Sequence, residues 1–218
     1  MYLCIRVDLD YVPWDTPDAV EYGHGEPAML LRTLELAKTM GLKLHFFASN
    51  RVLRAFPATA EVVLGEGHDL DWLCKHPENA SERFAEATRL FAEQKNEIQG
   101  LALKAGWPED SPGFPGLESL RFISGTGSCA PGIPFFPVEF KSIRQASQTG
   151  LTARAWTDSM KKNIRDCATR DGGMTLSVRP QVMAKYDPKL IHLKEIAVMA
   201  KAVEIPVVTL RQLVNAAK

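Results

Sequence analysis

The sequence lacks the short motifs that mark the commonest nucleotide-binding and hydrolytic sites. No G-x-G-x-x-G follows a strand-like segment, and there is no G-x-x-x-x-G-K-[ST], G-x-S-x-G or H-E-x-x-H. Each of these patterns builds a particular backbone turn or positions particular catalytic atoms. Their absence excludes the usual dinucleotide-binding, P-loop, serine-hydrolase and zincin sites.

An excess of charge of one sign is also missing. Lys and Arg together number 26, Asp and Glu together number 26, and no long run of like charge occurs. A balanced chain creates no global field that attracts a polyanion or an anionic lipid. We therefore expect neither nucleic acid nor a membrane as a partner.

Closely spaced cysteines and long apolar runs are absent as well. The four cysteines are scattered without a C-x-x-C pair, a pattern typical of unpaired thiols in a reducing compartment. Near the N-terminus, Arg6 and Asp8 interrupt the apolar residues of "YLCIRVDLDY", so this segment is neither a signal-peptide core nor a membrane span. We expect a cytoplasmic protein.

The patterns that are present predict an α/β fold. "LCIRVDLD" alternates apolar and polar residues as a strand does, 27–41 has the pattern of a helix, and "LKLHFFASN" is rich in strand-forming residues. A β-α-β opening needs a crossover and therefore parallel strands. "MTLSVRPQV" and "IPVVTL" predict further strands. A short helix-like piece covers 51–67, and the remaining predicted helices cover 79–98, 187–203 and 209–218.

The length and composition predict one domain. A chain of 218 residues that is 45% hydrophobic can bury a sizeable core. We expect a single α/β domain over 1–218 with a mainly parallel sheet. The Pro- and Gly-rich segment 107–140 is expected to be irregular, and such segments often form binding surfaces.

Two carboxylates and a histidine are predicted at strand ends, where sites collect in parallel α/β sheets. Asp8 and Asp10 end the first strand on the same face. Carboxylates this close favour a shared proton or a bound cation, although one of them could instead cap a turn or pair with Arg6. His76 ends the strand-like run in "GHDLDWLCKHP" and is followed by Pro77. Taken alone, such a histidine is more often a surface residue than a ligand.

These segments resemble the polysaccharide deacetylases, the NodB-like carbohydrate esterases, in the branch that opens with a D-x-D motif. "IRVDLDYVPWD" is similar to their first motif, which implies Asp8 as general base and Asp10 as metal ligand. "GEGHDLDWLCKHP" is similar to their histidine segment, which implies His76 as a second ligand. "PVVTLRQLV" resembles their final strand and helix. The resemblance implies a distorted (β/α)7 barrel and a divalent metal, with zinc as the expected ion.

The histidine segment departs from the family pattern. It is one residue short, so Trp72 or Leu73 stands where the family has its other histidine ligand. Neither side chain binds a metal. Asp71 is the nearest oxygen donor and is our candidate for the missing ligand, and Cys74 is a weaker one.

Two further departures concern the acid and the substrate. "TLSVRPQVMA" resembles the motif that carries the family's general-acid histidine, but Arg179 stands in its place. A guanidinium stays protonated and cannot release a proton near neutral pH. The family's third motif is only faintly echoed in "LKAGWPE", which implies Trp107 as a substrate-binding residue.

Two functions remain open on these residues. The first is a divergent hydrolase of an N-acyl bond in a carbohydrate or sugar-like substrate, in which a metal activates water and Asp8 accepts its proton. The second is an inactive relative that binds an anionic or carbohydrate ligand in the same pocket, with Arg179 pairing with a carboxylate or phosphate. A scaffold role for 107–140 is a third hypothesis.

Overall fold

Strands alternate with helices along the chain. The computed structural model describes residues 1–10, 26–74, 80–104, 113–127, 132–138, 140–169 and 173–217. The strands are β1 (Tyr2–Leu9), β2 (His45–Ala48), β3 (Asp69–Cys74), β4 (Gly100–Leu103), β5 (Phe122–Gly125), β6 (Phe135–Pro137) and β7 (Gly173–Val178). The helices are α1 (Glu26–Met40), α2 (Asn50–Ala55), α3 (Ala58–Gly65), α4 (Ala80–Glu93), α5 (Ile143–Gln148), α6 (Ala153–Cys167), α7 (Pro180–Tyr186), α8 (Ile191–Ala202) and α9 (Leu210–Ala216), with a short 3-10 helix at Leu117–Ser119.

The strands form one sheet in the order β6-β5-β4-β3-β2-β1-β7, with parallel pairing. This order confirms the predicted α/β class and the (β/α)7 arrangement. β1 is buried without a break from Leu3 to Leu9, because a parallel sheet is covered on both faces. The polar residues of the alternating strand are therefore buried as well.

The chain divides into two compact units, and the first of them contains β2 to β6. It comprises Asp8–Tyr11, His45–Val138 and Thr209–Lys218. Each of its strands pairs with the next one in the sequence, from β2 to β6. Consecutive parallel strands place their carboxyl ends at one edge, which positions the residues that follow them close together.

Aromatic rings fill the core of this unit. The ring of His45 stacks on Phe47 with 4.3 Å between centroids, and Phe122 meets His45 edge-on at 5.6 Å. A Cβ atom at Gly100 would lie 2.0 Å from the Phe122 ring. Glycine at position 100 is therefore required by the packing of that ring.

The second unit comprises Met1–Val7, Val12–Leu44 and Glu139–Val208. In it β1 pairs with β7 in parallel, from Tyr2 opposite Gly173 to Val7 opposite Val178. Helices α6 and α8 pack against each other. The prediction of one domain over 1–218 stays a prediction.

The structure differs from the predicted elements in several places. β4 was not predicted, and the predicted strand "MTLSVRPQV" ends at Val178, after which Pro180–Tyr186 form α7. "IPVVTL" is not a strand, since Val207 makes only an isolated parallel bridge to Leu3 before Thr209 caps α9. Helices α5 and α6, which begin after the capping residues Ser142 and Thr152, were not predicted. The segment 107–140, predicted to be irregular, contains β5 and β6 in its described part. Both strands are so short that the flanking Gly and Pro residues dominated the sequence pattern.

In the ranges given above, no helix combines the length and the apolar character needed to cross a membrane.

Candidate functional site

A cavity of about 230 Å³ lies at the carboxyl ends of β1, β2 and β3. We call it the strand-end pocket. All the residues that line it belong to the unit that contains β2 to β6. Its inner part includes the buried residues Asp10, Asn50 and Trp72, and its mouth carries the exposed residues Arg51, Arg54 and Arg83. This edge of a parallel sheet is where ligands usually bind.

Asp10 is paired with a lysine. Its side chain is fully buried, and the Lys104 ammonium forms an ion pair and hydrogen bond with its Oδ2 atom. Lys104 follows β4 directly and is about a quarter exposed, at 24%. A buried carboxylate is costly unless a positive charge compensates it. Here a side chain of the protein supplies that charge.

Asn50 organises the wall of the strand-end pocket. Its side-chain amide donates to the carbonyl of Arg83 at 2.9 Å and to Oε2 of Glu86 at 2.8 Å. Its oxygen accepts a hydrogen bond of 2.8 Å from Nε1 of Trp72. One side chain at the start of α2 therefore ties α4 and β3 together with three hydrogen bonds.

The mouth of the strand-end pocket is basic. Arg51 and Arg54 come from α2, and Arg83 comes from α4. Arg54 forms an ion pair with Glu86 at 3.4 Å. Within the described part of the chain, the side chains of Arg51 and Arg83 make no ion pair with a carboxylate. Among the described residues, two of the three arginines at the mouth therefore have no acidic partner.

Asp71, our candidate for the missing metal ligand, is held in a buried network. Its Oδ2 atom accepts from Nε of Arg211 at 2.8 Å and lies 3.0 Å from Nε2 of His45. Its Oδ1 atom accepts from Nη2 of Arg211 at 2.8 Å and from the backbone N–H groups of Gln99 and Gly100 at 2.7 and 3.0 Å. Both carboxylate oxygens are fully engaged, which argues against a ligand role for Asp71.

The hydrogen bonds of this network fix the protonation of His45. Its Nδ1 atom accepts from the backbone N–H of Leu210 at 3.0 Å, so the ring proton must lie on Nε2, which donates to Asp71. Burial lowers the pKa of His45, and the attraction of Asp71 opposes this only in part. The imidazole is therefore neutral at neutral pH.

Asp71 is charged in the same network. Burial alone would raise the pKa of Asp71, but the hydrogen bonds from Arg211 and His45 outweigh it and hold this pKa below its ordinary value. Arg211 also donates to the carbonyls of Leu70 and Glu97, each at 2.7 Å. The network ties α9 to β2, β3 and the residues that precede β4.

Arg179 lies in the other unit, at the end of β7, where it is the residue before the first turn of α7. It is half-buried and lines a cavity of about 50 Å³ together with Ser142, Arg144 and Ser177. An arginine at a strand end is what the sequence predicted. That its guanidinium points towards Asp8 and Asp10 stays a prediction.

The other predicted site residues divide into two groups. Asp8 lies near the end of β1, where the sequence placed it, and its side chain is buried; its role as general base stays a prediction. His76 and Trp107 lie outside the described residues, so the predicted convergence of His76 with Asp10 stays a prediction.

The described residues do not fit a metal ion. Among them, no group of three or more His, Cys, Asp or Glu side chains could hold one. Asp10 faces an ammonium group, and Asp71 accepts hydrogen bonds at both oxygens. A divalent metal needs several negatively charged or neutral donors with available lone pairs. In the described part of the chain, Lys104 and Arg211 are the cationic groups that contact these two carboxylates.

Sequence reasoning missed Lys104 and the arginines of the mouth. Lys104 directly follows the strand "GLAL". Asp10 was identified as a candidate site residue because it ends a strand, and the same criterion could have identified Lys104. Arg51 and Arg54 are three residues apart in the helix after β2, which puts them on one face. Arg83 could not have been assigned to the pocket, because nothing in the sequence predicts that α4 packs beside α2.

Comparisons with known proteins support the fold. No protein-family model matches the sequence, and no curated protein matches it significantly. Among solved structures, a probable polysaccharide deacetylase from Pseudomonas aeruginosa has a TM-score of 0.72 and 11% identity over 98% of this chain and 89% of its own. A polysaccharide deacetylase from Bacillus cereus has a TM-score of 0.59 and 14% identity over 95% of this chain and 91% of its own.

A pseudoenzyme has the same fold. The CE4 family pseudoenzyme from Bacillus anthracis has a TM-score of 0.56 and 11% identity over 98% of this chain and 65% of its own. Identities this low establish a common fold and leave the chemistry open. The predicted likeness is confirmed at that level: this chain has the fold of the polysaccharide deacetylases, which one of their pseudoenzymes shares.

Proposed function

We propose that this chain is a divergent polysaccharide deacetylase-like protein that binds an anionic or carbohydrate ligand in the strand-end pocket without a metal and without hydrolysing it. The ion pair between Asp10 and Lys104 carries this proposal. The resemblance implies a metal ligand at Asp10, and in this chain a lysine ammonium neutralises the same carboxylate.

The chemistry of the two cations differs. A catalytic metal offers an open coordination position and lowers the pKa of the water bound there. An ammonium group has only hydrogen-bond donors, so it can hold an anion or a polar oxygen but cannot bind and activate a water in this way. Separating Lys104 from the buried Asp10 would cost about 3–5 kcal/mol. A metal would have to repay that cost to displace the lysine.

The residue at the acid position supports the same proposal. Arg179 stands where the family has its general acid. Its guanidinium stays protonated at neutral pH, so it cannot protonate a departing amine. A guanidinium does bind carboxylate and phosphate groups well, because its planar donors match their oxygens.

A hydrolase remains the second candidate. Asp8 and Asp10 are both present and buried at the end of β1, as a catalytic pair would be. A mutant of the Bacillus anthracis pseudoenzyme, with a TM-score of 0.63 to this chain, has restored enzymatic activity. The fold of an inactive relative is thus compatible with catalysis, and His76 would complete the site in this reading.

The two candidates differ in metal dependence and turnover. The protein is purified without chelators, and acetate release from chitotriose triacetate is measured with and without added zinc. Binding of N-acetylglucosamine, glucuronate and glucose 6-phosphate is measured by calorimetry in EDTA. We expect no acetate release and binding of at least one sugar in EDTA. Zinc-dependent acetate release that is lost in Asp8→Asn would overturn the proposal in favour of the hydrolase.

A further inference from the structure

The arginines at the mouth of the strand-end pocket are not equivalent. Arg54 has an acidic partner in Glu86. Arg51 and Arg83 are exposed, and within the described part of the chain neither guanidinium has a hydrogen bond or an ion pair with the protein. Two arginines on different helices thus line one cavity, and no described residue engages their guanidinium groups.

Asn50 holds the backbone of both arginines. It is the residue immediately before Arg51, and its amide donates to the carbonyl of Arg83. Because Asn50 is itself buried and bonded to Trp72, it holds the two arginine backbones in fixed positions in the cavity wall. Only the ends of the two side chains must be ordered when a ligand binds, which lowers the entropic cost of binding.

The inner part of the pocket does not neutralise these arginines. Asp10 is compensated by Lys104, and Glu86 is compensated by Arg54 and the amide of Asn50. Each acid of the pocket lining thus has a partner. An incoming oxyanion would meet Arg51 and Arg83 without competition from these carboxylates.

We propose that Arg51 and Arg83 form an oxyanion subsite that holds a phosphate or carboxylate group of a ligand about one sugar ring in size. This inference rests on the proposed function and names the ligand class. The cavity of about 230 Å³ is smaller than the roughly 300–1,000 Å³ of sites for drug-sized ligands, which favours a small ligand. The rest of the ligand extends inward towards Asp10, which lines the same cavity.

Calorimetry in EDTA with three sugars tests the ligand class. Glucose 6-phosphate and glucuronate carry the oxyanion, and glucose is the neutral control. We expect one or both anionic sugars to bind at least about tenfold more tightly than glucose, because charge-assisted hydrogen bonds are the stronger ones. Whichever of glucose 6-phosphate and glucuronate binds more tightly shows whether the subsite prefers a phosphate or a carboxylate group.

Variants of Arg51 and Arg83 test whether these two residues form the oxyanion subsite. We expect Arg51→Ala and Arg83→Ala each to weaken binding of the anionic sugar roughly ten- to hundredfold. Arg89→Ala removes the same charge from the same helix as Arg83, but Arg89 pairs with Glu93 and does not line the pocket. It should bind as the wild type does. Arg51→Lys and Arg83→Lys keep the charge. Their affinities for the anionic sugar should lie between those of the wild type and of the corresponding alanine variants.

Three results would overturn the subsite. The first is an equal affinity for glucose and the anionic sugars. The second is wild-type affinity for the anionic sugar in both Arg51→Ala and Arg83→Ala. The third is that neither anionic sugar nor inorganic phosphate binds at millimolar concentration. Equal affinity for a neutral sugar would leave the proposed function standing. Zinc-dependent turnover would instead remove the proposed function, while the arginine variants would still report on the subsite.

Discussion

Lys104 forms an ion pair with Asp10, although the two residues are 94 positions apart in the sequence. β1 and β4 both end at the edge of the sheet where the pocket lies, and the residues that follow them meet there. Because Asp10 is fully buried, its charge requires a partner at this point. In the structure that partner is the ammonium group of Lys104, and the proposed function follows from this pairing.

Removing the partner of Asp71 should destabilise the protein strongly. Arg211→Met leaves a fully buried carboxylate without its two strongest hydrogen bonds, so we expect the free energy of unfolding to fall by about 3–5 kcal/mol. Urea unfolding followed by circular dichroism measures this. Arg89→Met is the control, because the Arg89–Glu93 pair is mostly exposed and its loss should cost less than about 1 kcal/mol. Equal effects of the two variants would show that the network is not stabilising.

Acid should destabilise the protein through His45 first. The pKa of His45 is lowered by burial from an ordinary value of 6.5, so below that pH the unfolded chain takes up the proton before the native one does. Its contribution to stability is complete above pH 6.5 and is lost as the pH falls towards the native pKa. The loss is at most about 1.36 kcal/mol per pH unit. Asp71, whose pKa lies below its ordinary 3.8, adds its own loss only in stronger acid.

Urea unfolding between about pH 7.5 and 4.5 checks this dependence. The comparison is between wild type and His45→Gln, which keeps a donor for Asp71 but does not titrate. We expect the stability of the wild type to fall more steeply over this range than that of the variant. The charged groups around His45 are Asp69, Asp71 and Arg211, and they remain in both proteins. Parallel curves would contradict the assignment of a neutral, buried His45.

Asn50 should matter both for stability and for ligand binding. Asn50→Ala leaves the buried Nε1 of Trp72 and the carbonyl of Arg83 without their partner, so we expect a loss of about 1–3 kcal/mol in the free energy of unfolding. Thr88→Ala on α4 is the control, since Thr88 is exposed and bonds only within its own helix. It should change stability by no more than about 0.5 kcal/mol. A stable Asn50→Ala protein with unchanged ligand affinity would refute the organising role of Asn50.

The sequence predicted the fold better than it predicted the site. The strand β1 and the β-α-β opening follow from local sequence patterns, and the structure confirms both elements. Strands as short as β5 and β6 lack enough residues to show a period, so composition alone suggested an irregular segment. α6 is preceded by a capping threonine, Thr152, which sequence reasoning could have used.

The site depends on contacts between residues that are far apart in the sequence. The position of Asp8 and Asp10 at a strand end could be predicted. The alternation of apolar and polar residues in β1, and the polar segment that follows it, are local features of the sequence. The partners of Asp10 and Asp71 could not be predicted, since Lys104 and Arg211 come from other strands and helices. Asp71 had the right residue type and strand for a ligand, but only the structure reveals its contacts with Arg211 and His45.

The central claim is that Lys104 occupies the position of a metal beside Asp10. Calorimetric titration of zinc into wild type, Lys104→Arg and Lys104→Met tests it most directly. We expect no binding at micromolar zinc in the wild type or in Lys104→Arg, which keeps the charge. Lys104→Met removes the competing cation and should bind zinc at least about tenfold more tightly than wild type. Stoichiometric zinc in the wild type, with an affinity equal to that of Lys104→Met, would contradict the account.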